Sequence, residues 1–396
     1  MSKFPHSLKA CLLGFALLIF NLSALAQHYN QTNLVSNTGA APTSDANLQN
    51  AWGLVAAPAV GGGTGSPWWI SNNAAGTATL YAITVAGATV TAHIIPINGN
   101  GIVTVPGAPS QQAAGSPTGV MFNGSSTDFI LPSGRASAFI FVTEDGTVQG
   151  WAGGTAATVE VDNSQTPDAA NGAVYKGSTI AEIGGKKFIL AANFRSGKVD
   201  IFDTNFKQVK LSSGASEGDD DDDNREAFQD ERIPRGFAPF NIQGVGPNIY
   251  VTYAKQDAAR HDPIGGAGLG FVDVFSSEGR LLQRLQHGSW MNAPWGVVWA
   301  TPGFGEFSNT ILVGQFRGGN IAAFNPVTGR FLGNVLNPDG TTVLIDGLWA
   351  LRFGTDGTAG PATTLFFTAG PNGEKDGIMG ILRPVASPEG IEADEQ

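Results

Sequence analysis

Few side chains in this sequence are equipped for chemistry, and most of them fall in short turns. Asn193-Phe194-Arg195-Ser196-Gly197 and Gln315-Phe316-Arg317-Gly318-Gly319 repeat one pattern: an amide, an aromatic ring, a guanidinium, one variable residue and a glycine. A planar guanidinium suits carboxylate or sulfate, so in a chain of net charge −11 the two arginines are candidate anion sites. The competing reading is that each arginine braces its turn against the neighbouring unit while glycine takes the left-handed backbone. The segment from Ala254 to Asp262 mixes titratable types, and Asp257, His261 and Asp262 could ligate a divalent cation. His261 could equally act as a base oriented by a carboxylate, or the segment could be a solvated loop. Asp219, Asp221, Asp223 and Asp230 fall at positions 1, 3, 5 and 12 of a calcium-loop spacing. Asn224 stands where that loop needs glycine, so the acidic run reads as readily as solvated charge, and calcium is an open cofactor. The sequence has no His-Glu-x-x-His pair or phosphate loop, which removes the commonest metalloprotease and nucleotide chemistries.

These turns need a scaffold, and the chain supplies one by repetition. Short apolar strands open with Trp52-Gly53, Thr118-Gly119, Lys176-Gly177, Pro239-Phe240, Trp295-Gly296 and Trp349-Ala350, at intervals of 54 to 66 residues. Each opening is followed by a loop, a second strand such as Trp68 to Asn72 or Phe139 to Thr143, a tight polar turn, and further short strands. β-Branched and aromatic segments bounded by Gly, Asn and Pro predict strands, and no sustained helical period follows residue 26. Glycine supplies 54 of 396 residues and only 14% are charged, as suits a turn-rich β-protein better than a helical one. The expected fold is all-β, a six-bladed β-propeller of four-stranded blades. The sixth unit lacks its outer strand, and residues 28 to 36 are expected to supply it, closing the ring and covering a sheet edge.

Four stretches carry a more specific resemblance: Phe237 to Gln243, Tyr250 to Asp257, Gly270 to Phe275, and Phe366 to Asn372. They resemble a family of uncharacterised exported bacterial proteins with NHL-like propellers, some of which carry a PEP-CTERM sorting tail. The resemblance implies a propeller and no particular activity. The C-terminus has no Pro-Glu-Pro motif, apolar helix or basic end, so it departs from the tailed members.

Lys3 and Lys9, the apolar run of residues 11 to 20, and Ala24-Leu25-Ala26 predict a signal peptide at residues 1–26. The propeller is then expected at residues 27–386, with a flexible acidic tail at 387–396. The lone Cys11 would leave with the leader. The expected product is exported to the periplasm or beyond, monomeric, and without a membrane span; the absence of a basic stripe argues against nucleic acid.

Turns between second and third strands emerge on one face of such a disc. That face would carry Asn73, Glu144, Asn193 and Arg195 from the first three units, and Lys255, His261, Gln315 and Arg317 from the next two. Two functions stay open. The first is a binding or scaffold propeller holding a glycan, peptide or envelope partner; the second is a metal-dependent, lactonase- or lyase-like enzyme with a cation at the central channel. Among oxygen ligands near the axis, Glu144, Asn193 and Asp346 are the best available.

Overall fold

Six antiparallel sheets succeed one another along the chain, each built from a predicted unit, in a computed structural model that describes residues 28–111, 113–213 and 226–385. The predicted leader, the C-terminal tail and the acidic residues 219–223 lie outside the described residues. The innermost strands are Ala51–Val55, Pro117–Phe122, Tyr175–Ile183, Phe237–Val245, Pro294–Trp299 and Leu348–Phe353, defining blades 1 to 6. They neighbour one another in cyclic order, the last against the first. The protein is a six-bladed β-propeller, and its described residues are almost entirely β apart from short 3₁₀ turns and one four-residue helical turn at Pro371–Glu374.

Every inner strand carries a register shift against its second strand at the same place: between Ala51 and Leu54, Pro117 and Val120, Tyr175 and Ser178, Pro239 and Asn241, Pro294 and Val297, and Leu348 and Leu351. An extra residue in one strand bends it and re-aims its side chains. In five blades the bulge holds the residue that opened the repeat and the small residue that follows it; in blade 4 it holds Phe240. The small residue is required because neighbouring inner strands almost touch near the axis. A Cβ on Gly296 would stand 2.6 Å from the Trp349 carbonyl oxygen and 2.9 Å from the Leu351 nitrogen. Gly296→Ala is therefore expected to cost roughly 1–3 kcal/mol by overpacking, read as a lowered denaturation midpoint.

Ring closure follows the predicted route. Tyr29–Ser36 pairs antiparallel with Ile378–Pro384, from Tyr29 opposite Pro384 to Ser36 opposite Ile378, as the outer strand of blade 6. Leu34 and Val35 are buried in the core, and the Tyr29 hydroxyl donates to the Phe304 carbonyl of blade 5 at 3.0 Å. Blades 1 and 4 add a short strand each, Ile102–Thr104 and Pro263–Ile264. The second belongs to the insert between the middle strands of blade 4, and it shapes the site.

Candidate functional site

Near the axis the aromatic openings close the channel. Trp52 and Trp349 stack with centroids 3.5 Å apart, Phe316 stacks on Trp349 at 3.8 Å, and Phe240, Phe194 and Trp295 extend the cluster. Hydrogen bonds tie blades together through these rings: Trp349 Nε1 donates to Asn50 Oδ1 at 2.9 Å and Trp295 Nε1 to the Lys176 carbonyl at 2.8 Å. The result is a floor instead of a through-channel.

Lys176 stands on blade 3 where blades 1, 5 and 6 present tryptophan. Its side chain is 1% exposed, with Nζ bound to Glu144 Oε1 and, at 3.0 Å, to Asp262 Oδ1. Beneath it the Trp52 ring lies 5.5 Å away, a cation–π distance. Burial alone would pull the ammonium below its ordinary value; the charges of Glu144 and Asp262 outweigh this and hold it above.

Turns from four blades surround this ammonium. Glu144 of blade 2 also accepts from Asn73 Nδ2 of blade 1 at 2.8 Å. Asn73 Oδ1 accepts from Asn50 Nδ2 at 3.1 Å, and Asn50 Nδ2 reaches Glu374 of blade 6 at 3.2 Å. The blade 4 insert brings His261 and Asp262 over the top, with His261 Nδ1 and Asp262 Oδ1 3.1 Å apart. Asp257 orders that insert by accepting from the His261 backbone amide at 2.8 Å. The insert is clamped outside by Arg260 donating to Asn171 Oδ1 at 2.6 Å and by Gln256 donating to the Phe194 carbonyl at 2.5 Å. Hydrogen bonding to His261, then the charge of Lys176, holds the Asp262 carboxyl well below the usual carboxylate range. Burial, with Glu144 nearby, pushes Glu374 up instead. Glu144, His261 and Asp262 could each offer a ligand atom to a metal, those atoms lying within 4.8 Å of one another.

Beside this cluster opens a polar cavity of about 230 Å³, lined by Glu144, Asp145, Ser116, Ser164, Arg195 and His261 among others. Larger grooves occur at the rim, one of about 470 Å³ between blades 3 and 4. They lie away from the axial charges, and the first borders the undescribed residues 214–225. The convergence of charged groups marks the axial cup.

Of the residues singled out from sequence, Glu144 and Asp262 bind the Lys176 ammonium, His261 reaches Asp262 and Asn73 reaches Glu144. Arg195 lines the cavity while its Nη1 donates to the Gly172 carbonyl at 3.3 Å. Arg317 packs its guanidinium over Phe316 at 4.6 Å and comes within 3.8 Å of Glu374. Three others turn away from the cup. Asn193 Oδ1 accepts from Val174 and Ser196 amides and its Nδ2 donates to Asp200, so the side chain braces its own turn. Gln315 is fully buried, accepting from the Asn292 amide at 2.8 Å. Lys255 donates to the Arg235 carbonyl at 3.2 Å and lies over Phe237. Asp346 accepts from the Asn372 amide at 3.0 Å. Asp230, the last residue of the calcium spacing, is held by Arg284 and Arg232. Sequence reasoning passed over Lys176, Asn50 and Glu374. The signal for Lys176 was its place in the repeat, a lysine where equivalent openings carry tryptophan.

No family model matches the chain. A glucose dehydrogenase structure superposes with a TM-score of 0.50 at 13% identity, over 90% of this chain and 100% of that one, a likeness of fold alone. Two relatives from Acanthamoeba polyphaga mimivirus share the sequence. The uncharacterized protein R640 is 27% identical over 59% of this chain, which spans 41% of R640. The uncharacterized protein R648 is 30% identical over 360 residues, covering 88% of this chain and 78% of its own length. The motif resemblance pointed to bacterial exported propellers; these relatives are viral, and their names state no activity. The chain belongs to the propeller family that includes the mimivirus protein R648.

Proposed function

We propose that this chain is an exported binding propeller whose axial cup holds one sugar unit of a glycan. The observation that carries the reading is the assembly of Glu144, Asn73, Asp262, His261 and Glu374 from four blades around one buried ammonium, above a closed aromatic floor. Such a cup offers closely spaced donors and acceptors, which suit vicinal hydroxyls. The carboxyl groups of Glu144, Asp145, Asp262 and Glu374 outnumber the cations Lys176, Arg195 and Arg317, so an anionic ligand is disfavoured. The cavity beside the cup, about 230 Å³ and lined by Glu144 and His261 of the cup, lies below the roughly 300–1,000 Å³ usual for drug-sized ligands, in keeping with a single sugar residue that enters it from the cup. Export rests on the leader-like residues 1–26.

Screening the purified chain against a glycan array tests this, with Glu144→Gln as the control. Neutral glycans should bind, and the substitution should weaken binding roughly 10-fold or more, as for loss of a charged hydrogen bond. An array without hits, or unchanged binding by the variant, overturns the reading.

A metal-dependent enzyme is the second reading, favoured by the spacing of Glu144, His261 and Asp262. Against it, the Lys176 ammonium already lies between two of these ligands. Calcium and manganese titrations followed by calorimetry separate the two readings: the binding propeller takes up neither stoichiometrically, and the enzyme takes up one.

A further inference from the structure

The outer strand of blade 3 breaks off early. Gln208–Val209 pairs only with Ile201 and Phe202 of the third strand, Lys198–Phe202. Blades 4 and 5 carry the same ladder further: the Leu285 amide donates to the Val272 carbonyl and the Val335 amide to that of Ile321, both at 2.9 Å. Continued in its own register, the blade 3 ladder would join Leu211 to Val199. That bond is absent among the described residues, because the chain turns off after Val209 and the Leu211 carbonyl accepts from the Ala227 amide at 2.8 Å. Backbone groups alternate in direction along an antiparallel strand, and Asp203 sends its amide outward to the Lys207 carbonyl at 2.9 Å. Ile201 and Val199 therefore point outward as well, and Val199 presents an N–H and a C=O that find no partner among the described residues.

The gap opens into the cavity of about 470 Å³ between blades 3 and 4. Lys198 to Ile201 stand on one side of it, and Leu211, Ala227 and Phe228 on the other. Its inner wall is apolar: Ile201, Phe228 and Tyr253 are buried, with Ile233 and Phe237 half-buried beside them. At the mouth Lys198 and Lys210 pair with Glu226 at 2.7 and 3.5 Å. An open strand edge, an apolar wall and a charged lip suit one added β-strand. Main-chain bonds hold such a strand, alternate side chains enter the wall, and the others face water. Residues 214–225 contain no β-branched, aromatic or large apolar residue to serve as that strand. With Ala227 to Arg235 across the gap, the edge of a second folded sheet has no approach.

We infer that blade 3 binds an extended peptide segment of another protein as its missing outer strand, with apolar residues at alternate positions of that segment. The peptide pairs with the Val199 backbone and seats its apolar side chains against Ile201, Phe228 and Tyr253. The site is separate from the sugar cup, so either can fail without the other.

The test screens the full chain against an array of acetylated, amidated pentapeptides that alternate valine, leucine or phenylalanine with serine or threonine. The best binder is then remade with N-methyl groups on one or the other alternate set of amides. Methylation of one set should weaken binding roughly 10-fold or more, as for loss of main-chain hydrogen bonds, and the other set should be tolerated better. Val199→Pro removes an amide that the fold itself does not use, so the variant should fold and lose binding to the same extent. Hydrogen exchange at Val199 should be fast in the chain alone and slowed by saturating peptide. Should Val199→Pro not fold, the methylated peptides and the exchange measurement decide. An array without hits, equal affinity of parent and both methylated forms, unchanged binding by a folded Val199→Pro, or a Val199 amide already protected in the chain alone overturns the proposal.

Discussion

Lys176→Met should cost about 3–5 kcal/mol of folding stability. The ammonium is the shared partner of two carboxylates from different blades, Glu144 with a side chain 13% exposed and Asp262 more open. Removing one partner of a buried ion pair leaves the other uncompensated, whereas losing both together is often nearly neutral. Lys176→Met combined with Glu144→Gln should therefore recover much of the loss, and urea denaturation of the single and double variants measures it. The deficit should also depend on pH, with a sign set by Asp262. Its carboxyl is depressed in the folded protein, by His261 and then by Lys176, so it contributes stability above its unfolded pKa of about 3.9. That contribution is lost as pH falls below this value toward the folded pKa. The methionine variant lacks part of the depression, so the gap between wild type and variant should narrow on acidification below about pH 4. A gap that stays constant with pH would show that Asp262 takes no part in the coupling.

Removing Tyr29–Ser36 should prevent stable folding. The segment pairs along the whole third strand of blade 6 and buries Tyr29, Leu34 and Val35 almost completely. Each such side chain contributes roughly 1.5–3 kcal/mol on burial, and their sum is comparable with the roughly 5–15 kcal/mol net stability of a typical protein. The truncation would also leave Ile378–Pro384 as an open edge, prone to pair with other chains. Thermal melting and size-exclusion chromatography should show loss of the cooperative transition and aggregation. A synthetic peptide of residues 28–36, supplied in trans, should restore part of the transition. A truncated chain that melts like the full one would mean the ring closes by some other contact.

The cup exposes a limit of local reading. Asn193 and Gln315 end the second strands of blades 3 and 5, the place Asn72 holds in blade 1, whereas Asn73 stands one residue further on, level with Glu144, and faces the cup. Asn193 is captured by backbone amides of Val174 and Ser196, and Gln315 by that of Asn292. An amide beside unsatisfied backbone donors folds back onto them whenever burial makes an orphan donor costly. An offset of one residue along the strand thus separates an amide that caps its own blade from one that reaches the cup.

Strands, their fourfold grouping and the route of ring closure could be read from the sequence alone. They rest on local rules: β-branched and aromatic runs bounded by turn residues, a repeat of one period, and a sixth unit one strand short. The small residue after the repeat's opening is legible in the same way, since near the axis neighbouring backbones leave no room for a side chain at Gly53 or Gly296. Which residues meet at the axis was decided only by tertiary structure. Glu144 lies 32 residues from Lys176 and Asp262 lies 86, and no pattern of spacing connects residues on three blades. Their meeting depends on ring closure, which aims the bulged openings at one axis, and on the blade 4 insert folding across the mouth. A lysine in a tryptophan position reads as an irregularity of the repeat until the carboxylates that neutralise it are seen above the floor.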